Sequence, residues 1–173
     1  MKYHELDHGS NIPDTFRVVV EIPLHSRNKY EIHEGLLKLD RVLHSSLIYP
    51  ANYGFIPRTL AKDGDALDVL IWTRFPLSST AIVEVRPLAM LKMKDEEGED
   101  NKILVVPIHD HFYKRTRGLD NVQEGLLNEI DQFFRRYKEL EEGKDTDVVG
   151  WFGKKEAKQC IMESAERYKN TSH

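Results

Sequence analysis

Residues 63–68 read Asp-Gly-Asp-Ala-Leu-Asp, which sets three carboxylates within six positions. Such charges repel one another, and each is costly to take out of water. A chain can keep them together only where solvent or bound cations neutralise them. Any fold built on this sequence must therefore bring the segment to an open surface or a cleft. Gly64 permits a tight turn between Asp63 and Asp65. Asp68 opens the apolar run that continues to position 73, which reads as a strand, so its carboxylate can point back over the turn. The spacing differs from an EF-hand, whose central glycine and distant glutamate are missing. Oxygen ligands of this kind suit Mg²⁺, Mn²⁺ or Ca²⁺.

A second acidic stretch, Asp95-Glu96-Glu97-Gly98-Glu99-Asp100, precedes another apolar run. By alternation Asp100 and Lys102 lie on one strand face. A carboxylate beside an ammonium suits a site holding both metal ions and phosphate oxygens. Either acidic stretch alone reads equally as a solvated loop. The pair is more suggestive, because each ends in an aspartate that enters a strand. Lys29, Lys102 and Lys138, taken singly, read as ordinary surface charge. Arg41 differs: alternation puts it on the face of Leu37, Leu39 and Leu43, where a guanidinium needs an anion. Tyr137 falls in an apolar helical stripe and reads equally as core or as site. Tyr49 and Tyr53 flank Pro50 and Gly54, and packing is the simpler reading of Tyr49. Cys160 sits beside Ile161 and reads as a small buried side chain. His109 and His111 read as loop residues. No Gly-x-Ser-x-Gly or phosphate-binding glycine loop is present.

Around these groups the pattern is strands first and helices last. Residues 1–14 read as an arm with a short helix. Residues 16–22 alternate, with Phe16, Val18, Val20 and Ile22 on one face and Arg17 and Glu21 on the other. A hairpin is predicted over 29–33 and 36–43, with Lys29 and Glu31 sharing a face. Residues 49–59, rich in Tyr, Pro, Asn and Gly, are predicted to be an ordered loop. One long strand spans 81–94, bent near Pro87, and another spans 102–108. Asn121 with Glu124 predicts a capped helix start, and Leu126, Ile130, Phe133, Tyr137 and Leu140 form a stripe that Gly143 ends. A second helix is predicted over 154–168, with Ala157, Ile161, Ala165 and Tyr168 inward. The class is α+β: a small closed antiparallel barrel with flanking helices. The 173 residues suit one domain over 1–173, with a core that needs no disulfide. The net charge of -4 argues against a nucleic-acid partner. The single cysteine fits a reducing compartment, and no leader or membrane span is expected, so the predicted place is cytoplasmic.

Together these segments resemble the family I soluble inorganic pyrophosphatases of the short prokaryotic type. The resemblance runs from Glu21-Ile22-Pro23 to the terminal helix. It takes in Lys29-Tyr30-Glu31, Asp40-Arg41, Tyr49-Pro50-Ala51-Asn52-Tyr53-Gly54, the 63–68 signature, Asp95-Glu96, Asp100-Asn101-Lys102 and Tyr137-Lys138. It implies an OB-type five-stranded barrel with an active site in a cleft at the barrel. It also implies Mg²⁺-dependent hydrolysis of pyrophosphate to two orthophosphates by direct attack of a metal-bound hydroxide. Several ions would serve each site, with Mn²⁺ as a substitute. Carried over by motif, Asp63, Asp68 and Asp100 resemble ligands of a first metal, with Asp68 bridging to a second. Asp95 and Asp100 resemble ligands of an ion that arrives with pyrophosphate, and Glu31 holds another through water. Glu21, Glu96 and Tyr49 resemble supporting residues. Lys29, Arg41, Tyr53, Lys102, Tyr137 and Lys138 resemble the phosphate and water contacts. Asp65 is the implied base, with Tyr53 beside it. Ala66 stands where the signature usually has proline, which implies a looser turn. Members commonly form homohexamers with histidines on the long helix, and Gln132 and Arg136 occupy those places here. Two other readings stay open. A non-catalytic OB-type binding module would show aromatics interleaved with basic residues on its strands. A metal phosphohydrolase acting on nucleotides would need a base-recognition pocket.

Overall fold

A computed structural model describes residues 1–171. Strands β1 (Phe16–Ile22), β4 (Asn52–Phe55), β5 (Asp68–Ile71), β8 (Lys102–Pro107) and β6 (Ile82–Asp95) pair in that order, and β6 pairs back onto β1. The pairings close into a ring of five strands. The long β6 makes closure possible. Its first residues pair with β1, its middle with β8, and the register shifts between Pro87 and Ala89 as the strand bends. The end of β6 pairs with two further strands, β7 (Gly98–Glu99) and β9 (Thr146–Phe152). Strands β2 (Asn28–His33) and β3 (Leu36–Val42) form a separate hairpin.

One pairing departs from the antiparallel expectation: β5 and β8 run parallel, with Asp68 beside Lys102. Alternation within a strand carries no information on the direction of its neighbour. Here β6 intervenes in sequence and runs antiparallel to β8, so β8 returns in the same direction as β5.

Both faces of the central strands are covered, which explains their continuous apolar runs. Leu70, Leu104 and Val106 pack with Ile130, Phe133 and Phe134 of helix α1 (Glu124–Arg136). Val69, Ile71, Ile103 and Val105 pack with Ala157 and Ile161 of helix α2 (Lys154–Thr171). Val19, on the outward face of β1, is also buried, because Tyr3 and Leu6 of the N-terminal arm cover it.

Several expectations are corrected. The predicted loop at 49–59 contains β4, because Asn52 and Gly54 serve the ladder itself. Gly54 opposes Val20, and a Cβ there would lie 2.0 Å from the Val19 carbonyl oxygen. Strand β9 was not predicted; Gly150 interrupts its alternation, and the register slips opposite Lys92 and Met93. Asn121 does not cap α1. Its side chain accepts from the Arg117 amide, and the cap position, Gln123, makes no side-chain bond. The stripe on α1 ends at Tyr137, since Leu140 lies past the helix and is exposed. Tyr168 is only partly buried and lines a cleft. The apolar face assigned to Arg41 is buried only at Leu43: Leu37 and Leu39 are exposed, and a register shift separates Leu39 from Arg41.

Asn52 joins three parts of the ring. It is fully buried, accepts from the amides of Leu24 (2.9 Å) and Leu77 (2.8 Å), and donates to the Ile71 carbonyl (2.9 Å) and Thr73 hydroxyl (2.7 Å). Asn52→Ala strands buried donors and acceptors, and is expected to cost about 3 kcal/mol or more. Urea unfolding checks this, and Tm should fall by about 10 °C.

Candidate active site

The 63–68 segment folds as its composition requires. Gly64 adopts φ +95°, and the Asp63 carboxylate accepts the Asp65 amide at 3.0 Å. The Thr59 hydroxyl accepts the Leu67 amide at 2.9 Å, which fixes the buried Leu67 and so the entry into β5. The acidic hairpin between β6 and β8 is built alike: Gly98 has φ +115°, and Asp95 accepts the Glu97 amide at 2.9 Å. Helix α1 delivers Tyr137 at its C-terminus, with the ring stacked on Phe133 at 5.0 Å, and Lys138 follows. Glu21 reaches from β1 to accept the Ile32 amide at 2.9 Å, tying the β2–β3 hairpin to the ring.

These elements surround a cleft of about 580 Å³. Glu21, Lys29, Glu31, Arg41, Tyr53, Asp63, Asp65, Asp68, Asp95, Glu96, Asp100, Lys102, Tyr137 and Lys138 all line it. Of the residues proposed from sequence, only Tyr49 stands outside. It is buried behind the wall, packed on Phe133 at 4.7 Å and edge-on to Tyr53 at 5.7 Å. Sequence reasoning missed His4, Asp40 and Lys144, which also line the cleft. Asp40 had a signal in its place beside Arg41. His4 and Lys144 had none, because the fold alone brings them there.

Lys102 is the centre of the arrangement. Its ammonium lies 2.7 Å from Asp68 and 2.8 Å from Asp100, and donates to the Tyr53 hydroxyl at 2.8 Å. The other cations are paired as well. Lys29 and Arg41 share Asp40 at 2.8 and 3.0 Å, Arg41 also meets Glu141 at 2.6 Å, and Lys138 lies 3.6 Å from Asp95 and 3.5 Å from Glu96. Among the described residues, no three acidic, histidine or cysteine side chains converge closely enough to grip a metal ion as they stand. The Lys102 ammonium stands between Asp68 and Asp100.

Residues 18–169 match a family model described as inorganic pyrophosphatase. The chain belongs to the inorganic pyrophosphatase family. A relative named inorganic pyrophosphatase from Sulfolobus acidocaldarius is 46% identical over 167 residues, spanning 94% of this chain and 96% of its own. Another, from Ralstonia nicotianae, is 43% identical over 174 residues, spanning 98% and 99%. The crystal structure of the inorganic pyrophosphatase from Thermus thermophilus superposes with a TM-score of 0.95 at 40% identity, covering 98% of this chain and 99% of that one.

In this pyrophosphatase-family cleft the carboxylates outnumber the charges that neutralise them. Burial pushes Asp68 up to about 6; repulsion from Asp100 adds to this and Lys102 opposes it. Burial raises Asp63 too. Burial would also raise Asp100, but the Lys102 ammonium outweighs it and holds that carboxyl below its ordinary value. Burial works against the charge on Lys102, and the two aspartates more than reverse this. Glu21, which lines the same cleft, is pushed up to about 7 by burial and by Asp68.

Glu21 has a sign that can be measured. Its folded pKa, about 7, exceeds its ordinary 4.5, so the folded state binds the extra proton between these values. Stability without added metal should therefore fall as pH rises from about 5 to 8. The Glu21 share is at most about 3 kcal/mol. Glu21→Gln should flatten that slope in EDTA, measured as urea midpoint against pH, because the amide oxygen still accepts from Ile32.

Proposed function

We infer that the protein is an inorganic diphosphatase, which hydrolyses inorganic pyrophosphate to two orthophosphates, and that the chain works as one catalytic domain. The cleft floor carries this reading: Lys102 alone stands between Asp68 and Asp100, while Lys29, Arg41 and Lys138 line the same cleft. Such a lining repels a bare polyanion and accepts one that comes with cations. No serine or cysteine lines the cleft among the described residues, which favours direct attack by water over a covalent intermediate. The five-stranded ring is read as an OB-type barrel.

The residues fit a hard divalent cation. The donors are carboxylate oxygens, and burial makes Asp63 and Asp68 hold protons more tightly than free aspartate, a cost that a bound cation would offset. Asp63, Asp68, Asp95 and Asp100 would hold Mg²⁺, with Glu31 holding a further ion through water, Glu21 and Glu96 in support, and Mn²⁺ as a substitute. Bound Mg²⁺ supplies charge neutralisation and makes a water acidic near neutral pH. Asp65 accepts the proton of the attacking water. It is exposed to the cleft rather than tied to Lys102 as Asp68 and Asp100 are. The Tyr53 hydroxyl, held between Lys102 and Asp68, orients that water. Lys29, Lys102, Lys138 and the Tyr137 hydroxyl bind phosphate oxygens, and the planar guanidinium of Arg41 grips the leaving phosphate through paired N–H groups. Substrate would draw these lysine cations away from their resting carboxylate partners, and those carboxylates would then be available to hold Mg²⁺.

The working form is proposed to be a cytoplasmic homohexamer with neither nucleic acid nor membrane as partner. No described helix is long and apolar enough to cross a membrane. Gln132 and Arg136 are exposed on α1, free to meet a neighbouring copy, and Arg136 pairs with Glu139 at 3.3 Å.

Phosphate release from pyrophosphate in Mg²⁺ is expected to fall at least about a hundredfold in Asp65→Asn, with Tm unchanged. Near-normal turnover would take Asp65 out of the base role. Release from ATP at a comparable rate would restore the nucleotide reading. Tyr137→Phe, which removes one hydroxyl from a buried ring, is expected to raise KM for pyrophosphate about tenfold and leave Tm within about 2 °C. A lower Tm with unchanged KM would make Tyr137 a core residue only.

A further inference from the structure

The hairpin of β2 and β3 carries two of the phosphate contacts, Lys29 and Arg41, yet little on the hairpin itself holds their side chains. It is a two-stranded sheet outside the ring, tied to it by the Glu21 bond to the Ile32 amide and by the buried Leu43 just past β3. Between these ties β3 is exposed at every residue except Arg41. A two-stranded hairpin without a packed face is a weak support. Asp40 has no partner between the Lys29–Arg41 and Tyr30–Leu39 pairs. This bulge breaks the alternation, so Arg41 leaves the face of Leu37 and Leu39 and lines the cleft instead. The bulge aims the side chain, but no apolar neighbour on the strand fixes the guanidinium at its end.

Two carboxylates fix it. Nη1 donates to Asp40 Oδ2 at 3.0 Å, an oxygen that also accepts from Lys29 at 2.8 Å. Asp40 belongs to the same strand, so it cannot set the guanidinium relative to the ring. Glu141 can, because it comes from the segment that follows α1. The Nε of Arg41 lies 2.6 Å from Glu141 Oε1, and Nη2 donates to Oε2 at 3.3 Å. Glu141 sits in the turn just after Tyr137 and Lys138, and its amide donates to the Lys138 carbonyl at 2.9 Å. Where that turn ends, the Asp145 amide donates to Glu96 of the acidic hairpin at 3.3 Å. The Arg41 and Glu141 side chains are partly shielded, 25% and 15% exposed.

We propose that Glu141 is a positioning residue for Arg41, holding the guanidinium at a set distance from Tyr137 and Lys138 so that all three meet one pyrophosphate together. The proposal rests on the reading of this cleft as a pyrophosphate site with Arg41 as a phosphate contact. A guanidinium has five N–H groups. Glu141 faces Nε and one N–H of Nη2, and Asp40 takes one of Nη1, which leaves one N–H on each Nη for phosphate oxygens. Glu141 therefore need not let go when substrate binds. An unrestrained arginine side chain loses much rotamer freedom when a ligand orders it. With Glu141 in place that ordering is complete before substrate arrives.

Phosphate release from pyrophosphate in Mg²⁺ by the full chain, with KM and kcat measured separately, tests this. Glu141→Ala frees the guanidinium and is expected to raise KM about tenfold, with kcat within about threefold. Tm should stay within about 2 °C, because one partly exposed ion pair adds little stability. Glu141→Gln keeps an oxygen that accepts from Arg41 and should hold KM within about threefold of wild type. In an Arg41→Ala background, Glu141→Ala should change KM by less than about twofold. An unchanged KM in Glu141→Ala, with or without a lower Tm, would overturn the proposal. So would a lower KM, since Glu141 would then be competing with substrate for Arg41. An equal loss in both backgrounds would mean that Glu141 does not act through Arg41, and would overturn it too. Failure of the wild-type chain to release phosphate would remove the pyrophosphate reading itself, and this inference with it.

Discussion

The ammonium of Lys102 stands between Asp68 and Asp100, and much of the molecule exists to put it there. The parallel pairing of β5 and β8 sets Asp68 beside Lys102, and the acidic hairpin brings Asp100 two residues before it. A buried ammonium with two carboxylates is stable only if its geometry is held, because desolvation of each charge is expensive. The ring supplies that rigidity. The Tyr53 hydroxyl accepts a third bond, and Tyr53 and Phe134 present ring faces to the ammonium at 5.2 and 5.6 Å.

One lysine does not balance the floor. Asp63 and Glu21 add carboxylates in the same partly dry space, and burial raises both. The fold tolerates this imbalance because the cleft is open to solvent on one side while both faces of the central strands are sealed by α1 and α2. Stability is thus concentrated in the strand ladder and its helices, and unneutralised charge in the cleft. That division lets a polyanion with its cations complete the charge balance without unfolding anything.

How much of this was legible in the sequence follows from the range of each interaction. The turn at Asp63-Gly64-Asp65 and the strands at Phe16–Ile22 and Ile82–Asp95 are set by near neighbours, and they were read correctly. Strand β4 reads as a loop in the sequence because Asn52 and Gly54 look like turn residues. Their reasons, a four-bond buried amide and close approach to Val19, come from segments far along the chain. Arg41 does meet anions, though not because its face is apolar throughout. The face is open at Leu37 and Leu39, and the anions are Asp40, next door, and Glu141, a hundred residues away. Packing is the simpler reading of Tyr49 from the sequence, and the ring is core, set against Phe133 and Tyr53. Nothing local marked His4, whose place depends on an arm folding across the outer face of β1.

The most direct measurement is a Mg²⁺ titration of the substrate-free protein at pH 7.5, followed by thermal unfolding. If the cleft carboxylates lack positive charge and divalent cations supply it, Tm should rise with Mg²⁺ and saturate. The rise should largely vanish in Asp68→Asn, whose own fold is retained. A wild-type Tm that does not respond to Mg²⁺, or a response untouched by Asp68→Asn, would contradict the assignment of this cleft to cation-assisted phosphate chemistry.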